Sequence, residues 1–154
     1  MTATRSPWAT ALLFILLTLG GGLLIGSVSM PDAWFASLVK PSFQPPNWLF
    51  GPVWSVLYIL IGIAGARLFM KASSSPAMKL WWMQLVLNFL WSPAFFALHM
   101  PGTALAIVAL LWITLVALIR AAFPVDRPAA LLLVPYLLWV SFATLLNGAI
   151  VMLN

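Results

Sequence analysis

The 154-residue chain has no cysteine, one histidine and two acidic residues, Asp32 and Asp126. The lack of cysteine excludes disulfide, thiolate and Cys–metal chemistry. One imidazole and two carboxylates far apart in sequence cannot supply the converging ligands of a metal site, so no metal is expected. They also cannot supply an activated nucleophile with a base beside it, so no conventional catalytic constellation can be assembled and no cofactor is required. Charge is scarce as well: charged residues make up 6% of the chain, against about 25% in a soluble domain. The net charge of +5 comes from basic residues standing singly near the ends of apolar runs. It does not imply nucleic-acid binding, which needs a basic patch with interleaved aromatics.

Apolar content is 64%, and lipid is the solvent such a chain suits. Charge-free stretches run over 6–31, 41–66, 80–119 and 128–154; about 20 such residues suffice to cross a bilayer. The third is long enough for two crossings, and His99, Met100, Pro101, Gly102 and Thr103 interrupt it with turn-forming residues. The expectation is an all-α membrane protein, a five-transmembrane-helix bundle forming one domain over 1–154. Its helices are placed near 8–28, 48–70, 77–98, 103–123 and 129–153, with an ordered, proline- and aromatic-rich loop at 29–47. Asp32 and Asp126 fall in loops and the basic residues stand at helix ends, so no charge lies deep within the membrane, which argues against proton-coupled transport. Arg5, Arg67, Lys71, Lys79, Arg120 and Arg127 fall on one side against Lys40 on the other. The positive-inside rule therefore puts the N-terminus in the cytoplasm. An alternative for the first run, a secretory signal peptide, is disfavoured by its length. Gly22 and Gly26, Gly62 and Ala66, and Ala117 and Ala121 are each four residues apart, a spacing that permits close helix packing and makes a homodimer plausible.

What the chain does carry is aromatic and amide chemistry. Trp81, Gln84, Asn88, Trp91 and Phe95 recur at three- or four-residue steps on one face of the third helix. Tyr136, Trp139, Ala143 and Asn147 do the same on the fifth, and Trp54 and Tyr58 lie one turn apart on the second. Lipid offers amides no partner, so Gln84 and Asn88 must bond inside the protein, as interhelical glue or as part of a site. Three faces of one character suggest a shared interior lined by rings and a few polar groups, the construction of pockets for flat apolar ligands. Interfacial anchoring accounts for some of the nine tryptophans; Trp8 and Trp112 are assigned to lipid or packing roles. His99 reads as an interfacial histidine. Pro93 and Pro135 fall inside expected helices, where kinks can shape a cavity.

The run at 34–58, WFASLVKPSFQPPNWLFGPVWSVLY, resembles the loop and second helix of the TspO/MBR family, the tryptophan-rich sensory proteins and mitochondrial translocator proteins. Three further blocks agree in order and spacing: QLVLNFLWSP at 84–93 with Phe95 and Phe96, the run 104–112, and VPYLLW at 134–139 with Phe142, Ala143, Leu146 and Asn147. The resemblance implies a five-helix bundle that commonly dimerises in a membrane, here a bacterial cell membrane. It implies ligands such as the porphyrins protoporphyrin IX and haem, and isoquinoline carboxamide or benzodiazepine-like drugs. The pocket it implies is walled by Trp48, Trp54, Tyr58, Asn88, Trp91, Trp139 and Ala143, under a loop cap containing Trp34, Lys40, Pro41, Pro45 and Pro46. Cholesterol is doubtful, because no Lys or Arg follows Tyr136. Two positions depart from the pattern, Phe35 where tyrosine is common and Phe43 where tryptophan is common. The resemblance thus points to a sensor or regulator of tetrapyrrole metabolism. The alternatives are a light- and oxygen-dependent porphyrin-degrading enzyme with Trp54 and Trp139 as photochemical residues, and a transporter of porphyrins or other lipophilic molecules.

Overall fold

Capping chemistry sets most of the helix starts. The side chains of Ser6, Asp32, Ser75 and Asp126 accept from the backbone N–H of Ala9, Phe35, Met78 and Ala129, at 3.5, 3.1, 3.2 and 3.1 Å. Such bonds satisfy one of the donors a helix start leaves free. Pro7, Pro76 and Pro128 follow three of these caps within the first two helical positions, where a missing N–H costs nothing. The computed structural model describes residues 5–154. Among them the elements are α1 (Pro7–Val28), α2 (Ala33–Ser37), α3 (Asn47–Ala72), α4 (76–97), α5 (Pro101–Ala122) and α6 (Arg127–Leu153), with no strand. Four of these, α1, α3, α5 and α6, are long and apolar enough to cross a membrane. In α4, Lys79, Gln84, Asn88 and three tryptophans dilute the apolar run.

The helices close into a ring in the order α1, α3, α6, α5, α4, with α4 returning to α1. Its outer surface is apolar, since Leu12, Leu24, Val86, Leu90, Ile113, Leu138 and Leu145 are exposed, whereas Gln84, Asn88, Thr114 and Asn147 are buried. A soluble protein has the opposite arrangement. Gly62 and Gly65 act within the bundle. A Cβ at Gly62 would lie 2.8 Å from the Ile15 Cα of α1, and one at Gly65 would lie 2.3 Å from the Trp81 ring. Thr18 uses that close approach to donate to the Tyr58 carbonyl at 2.7 Å.

Three irregularities were not legible as such in the sequence. Leu16–Gly20 of α1 forms a π-turn without any proline. Pro93 opens a second π-turn through Ala97, where the Leu98 N–H reaches the Pro93 carbonyl at 2.9 Å. Pro101 belongs to α5 as its first residue rather than to the turn, so α5 begins earlier than expected. The reversal before it falls on His99, whose φ of 54° occupies the left-handed region.

Asp126 lies between helices, as its position in the sequence implies, but it is not open to solvent. Its side chain is fully buried (0% exposed), between Arg67 Nε at 2.6 Å and Lys71 Nζ at 2.6 Å, whose side chains are 42% and 53% exposed. The N-cap of α6 is thereby pinned to the end of α3. The hydrogen bond from Arg67 is the largest influence holding its carboxyl down at about 2, below the ordinary 3.8. A carboxylate depressed in the fold stabilises above its unfolded pKa, so this contribution should be complete above about pH 4 and drain away as pH falls towards 2. Asp126→Ala should cost about 2–3 kcal/mol, below the about 3–5 kcal/mol of a fully buried pair because both cations can rehydrate. Unfolding in detergent as a function of pH should show wild type converging on the variant in that acid window.

Candidate functional site

A chain of hydrogen bonds runs across the middle of the bundle. Tyr58 of α3 donates its hydroxyl to Asn88 Oδ1 at 2.7 Å; Asn88 of α4 donates Nδ2 to the Tyr136 hydroxyl at 2.7 Å; Tyr136 of α6 donates to Gln84 Oε1 at 2.8 Å. Trp91 Nε1 donates to Asn147 Oδ1 at 3.1 Å, and Asn147 Nδ2 to the Pro101 carbonyl at 2.9 Å. Four helices, α3, α4, α5 and α6, are therefore cross-tied through side chains that lipid could not satisfy. Gln84, Tyr136 and Trp81, which donates to the Ile61 carbonyl at 3.0 Å, are fully buried below the cavities and serve the packing.

Above this chain lie two hollows that share the walls Phe35, Phe50, Trp54, Trp91 and Phe96. The larger, about 410 Å³, lies between α1, α3 and α4, where Gly22, Gly26, Ser29, Tyr58, Asn88 and Ser92 complete it. This is within the about 300–1,000 Å³ usual for small-molecule sites. Gly22 makes room for the Tyr58 ring, which a Cβ there would approach to 2.2 Å. The smaller, about 20 Å³, is a crevice against α6, lined by Gln44, Trp139, Phe142, Ala143 and Asn147 among others. Neither hollow is lined by Lys, Arg, Asp, Glu or His.

The shared interior expected from the three aromatic faces is thus divided, with Trp54 and Trp91 lining both parts. Tyr58 and Asn88 face the larger one, Trp139 and Ala143 the crevice. Trp48 is a correction. At 71% exposed it lines neither hollow, because it lies in the opening turn of α3, on the outer surface.

The loop folds over this end as an ordered cap, although its named residues hold it rather than line it. Trp34, Lys40, Pro41, Pro45 and Pro46 line neither hollow. Trp34 stacks on His99 with ring centroids 4.3 Å apart, while His99 Nε2 and Asp32 Oδ2 lie 2.8 Å apart. The Phe35 N–H and His99 keep the Asp32 carboxyl below its ordinary range. Lys40 Nζ donates to the Leu38 carbonyl at 3.3 Å and lies 4.6 Å from the centre of the Phe35 ring. The loop residues that do line the hollows are Ser29, Met30, Pro31 and Asn47 in the larger one, Gln44 in the crevice and Phe35 in both, none of them among the site residues named from the sequence. For Gln44 the only sequence signal was an amide between an aromatic and two prolines.

Known proteins resemble this chain along most of its length. Residues 13–153 match the TspO/MBR family. A tryptophan-rich sensory protein of Cereibacter sphaeroides is 38% identical over 119 residues, 77% of this chain and 75% of its own. A tryptophan-rich protein TspO of Chlorobaculum tepidum is 41% identical over 129 residues, 80% of this chain and 82% of its own. A protein CrtK of Rhodobacter capsulatus is 39% identical over 105 residues, 66% of each chain.

Asn88 is the one member of the polar chain with two tyrosine partners. Asn88→Leu, close in volume, should destabilise by about 2–3 kcal/mol because two hydroxyls lose a bond in a dry interior, while Tyr58→Phe, removing one bond, should cost about 1 kcal/mol. Denaturant unfolding in mixed micelles, followed by circular dichroism, would check the ratio; equal costs would show that the bonds do not act through Asn88.

Proposed function

The chain belongs to the TspO/MBR family of integral, multi-pass membrane proteins, and we propose that it binds a porphyrin such as protoporphyrin IX or haem between its helices as a sensor or regulator of tetrapyrrole metabolism. One observation carries the reading. A hollow of about 410 Å³ is walled by Trp54, Tyr58, Trp91, Phe35, Phe50 and Phe96, with polar groups confined to a few hydroxyls and amides. Ring faces and a scarcity of polar contacts suit a flat apolar macrocycle. The proposal includes α4 as a fifth membrane crossing. The polar side chains that lower its hydropathy are bonded to neighbouring helices, so they need not meet lipid. It also includes a bacterial cell membrane with the N-terminus in the cytoplasm, from the excess of Lys and Arg on one side, and assembly as a homodimer.

A second reading, light- and oxygen-dependent breakdown of the bound porphyrin, draws on a different observation. Trp54 touches the rings of Tyr58 and Tyr136 at centroid distances of 5.4 and 6.2 Å. These oxidisable rings lead from the hollow into the core and offer a path for an electron towards an excited ligand.

Titration of protoporphyrin IX into the purified protein, followed by tryptophan fluorescence, tests the first reading. Trp54→Ala should weaken binding about tenfold or more, equivalent to about 1.4 kcal/mol, and Trp139→Ala should weaken it less. Trp48→Ala should leave it unchanged. Equal affinity for wild type and Trp54→Ala would count against the hollow as the site. Illuminating the complex in air separates the second reading, since loss of porphyrin absorbance that disappears in Trp54→Phe would favour chemistry over sensing alone.

A further inference from the structure

Two residues that line the crevice against α6 carry three buried polar atoms with no hydrogen-bond partner. These atoms are Oε1 and Nε2 of Gln44 and Nε1 of Trp139. Leaving a buried donor or acceptor unsatisfied costs about 1–3 kcal/mol, so three on two residues of one lining form a concentrated demand for a partner. Elsewhere in the bundle the comparable groups are bonded: the indoles of Trp81, Trp91 and Trp112 and the amide of Asn147 all reach protein acceptors or donors. The remaining orphan on this count, Gln84 Nε2, lies in the core away from both hollows.

We propose that Gln44 and Trp139 form the polar end of the binding site and that it accepts a ligand edge presenting an acceptor and a donor side by side. The inference rests on the ligand-binding reading above and adds to it the chemical class of the recognised group. An indole N–H only donates, while a carboxamide offers donors on nitrogen and acceptance on oxygen. A complementary group must accept from Trp139 Nε1 and Gln44 Nε2 and donate to Gln44 Oε1. A protonated carboxyl, a carboxamide and a lactam share that edge; an ester or a ketone accepts only. Among the described residues no cation lines either hollow, which tells against an ionised carboxylate desolvated there without a counter-charge. The space of about 20 Å³ has room for roughly one water-sized group, so the edge enters as the Gln44 side chain turns aside, and the small side chain of Ala143 in the same lining adds no bulk. The larger hollow, sharing Trp54 and Trp91, would hold the apolar body. The backbone of Gln44 is held in place by its own N–H bond to the Pro41 carbonyl at 3.1 Å and by the two prolines that follow.

The test titrates protoporphyrin IX, its diamide and its dimethyl ester into the full-length protein in detergent micelles, followed by porphyrin fluorescence. It uses wild type, Gln44→Leu and Trp139→Phe, each checked for a wild-type thermal midpoint; Trp139→Phe keeps an aromatic ring and removes the N–H with the pyrrole part of the indole, a loss of ring area that all three ligands would feel alike. Wild type is expected to bind the acid and the diamide about tenfold more tightly than the ester. Both variants should narrow that gap by weakening acid and diamide more than the ester. Raising the pH should weaken the acid and not the diamide, which separates the two sources of the edge. If wild type binds all three alike, or if both variants preserve the gap, the polar-end assignment is overturned while the hollow as a porphyrin site stands. If wild type binds none of the three, the binding reading fails and this inference falls with it.

Discussion

Lipid has nothing to offer Asn88, and the way this amide is satisfied organises much of the bundle. Its oxygen accepts from Tyr58 on α3 and its nitrogen donates to Tyr136 on α6, each at 2.7 Å. Hydrophobic driving force does not choose partners among helices that are apolar throughout. Directional bonds between buried polar groups do, because the alternative is an unsatisfied group in a dry interior. The same rule explains why Trp91 reaches Asn147 and why Thr18 reaches a carbonyl on α3.

Closeness of approach supplies the second half of that specificity. Gly62 lets α1 lie against α3, and Gly65 receives the Trp81 indole, so bulk on one helix is matched by its absence on the next. Gly22 has a different use: it accommodates the Tyr58 ring at the edge of the larger hollow. Gly22, Gly62 and Gly65 are therefore spent on contacts within one chain, whereas a Cβ at Gly26 would meet nothing within 4 Å.

The cap is fastened by chemistry distinct from that of the bundle. Asp32, Trp34 and His99 bind it to the reversal between α4 and α5 through a hydrogen bond and a ring stack, and Asn154 Oδ1 accepts from the Val39 N–H at 2.9 Å. These contacts are at least partly exposed, so water competes with them as it does not with the Asn88 chain. Phe35 and Gln44 are carried into the hollows by a frame of residues that themselves stay outside.

Composition, charge spacing and the three aromatic faces by themselves determined that this is an apolar helical chain, where its helices lie to within a few residues, and that its buried amides need partners. Family motifs were legible along most of the length, and they pointed to Trp54, Tyr58, Asn88, Trp91, Trp139 and Ala143, all of which line one hollow or the other. Tertiary structure alone decided that the interior is divided in two, that Trp48 faces outward, that Asp126 is buried between two cations, and that Gln44 enters the crevice. The reason is physical. Periodicity assigns a residue to a helix face, but whether that face meets lipid, a neighbour or a cavity depends on how the helices rotate against one another. A loop such as 29–47 has no repeating period from which even a face could be read.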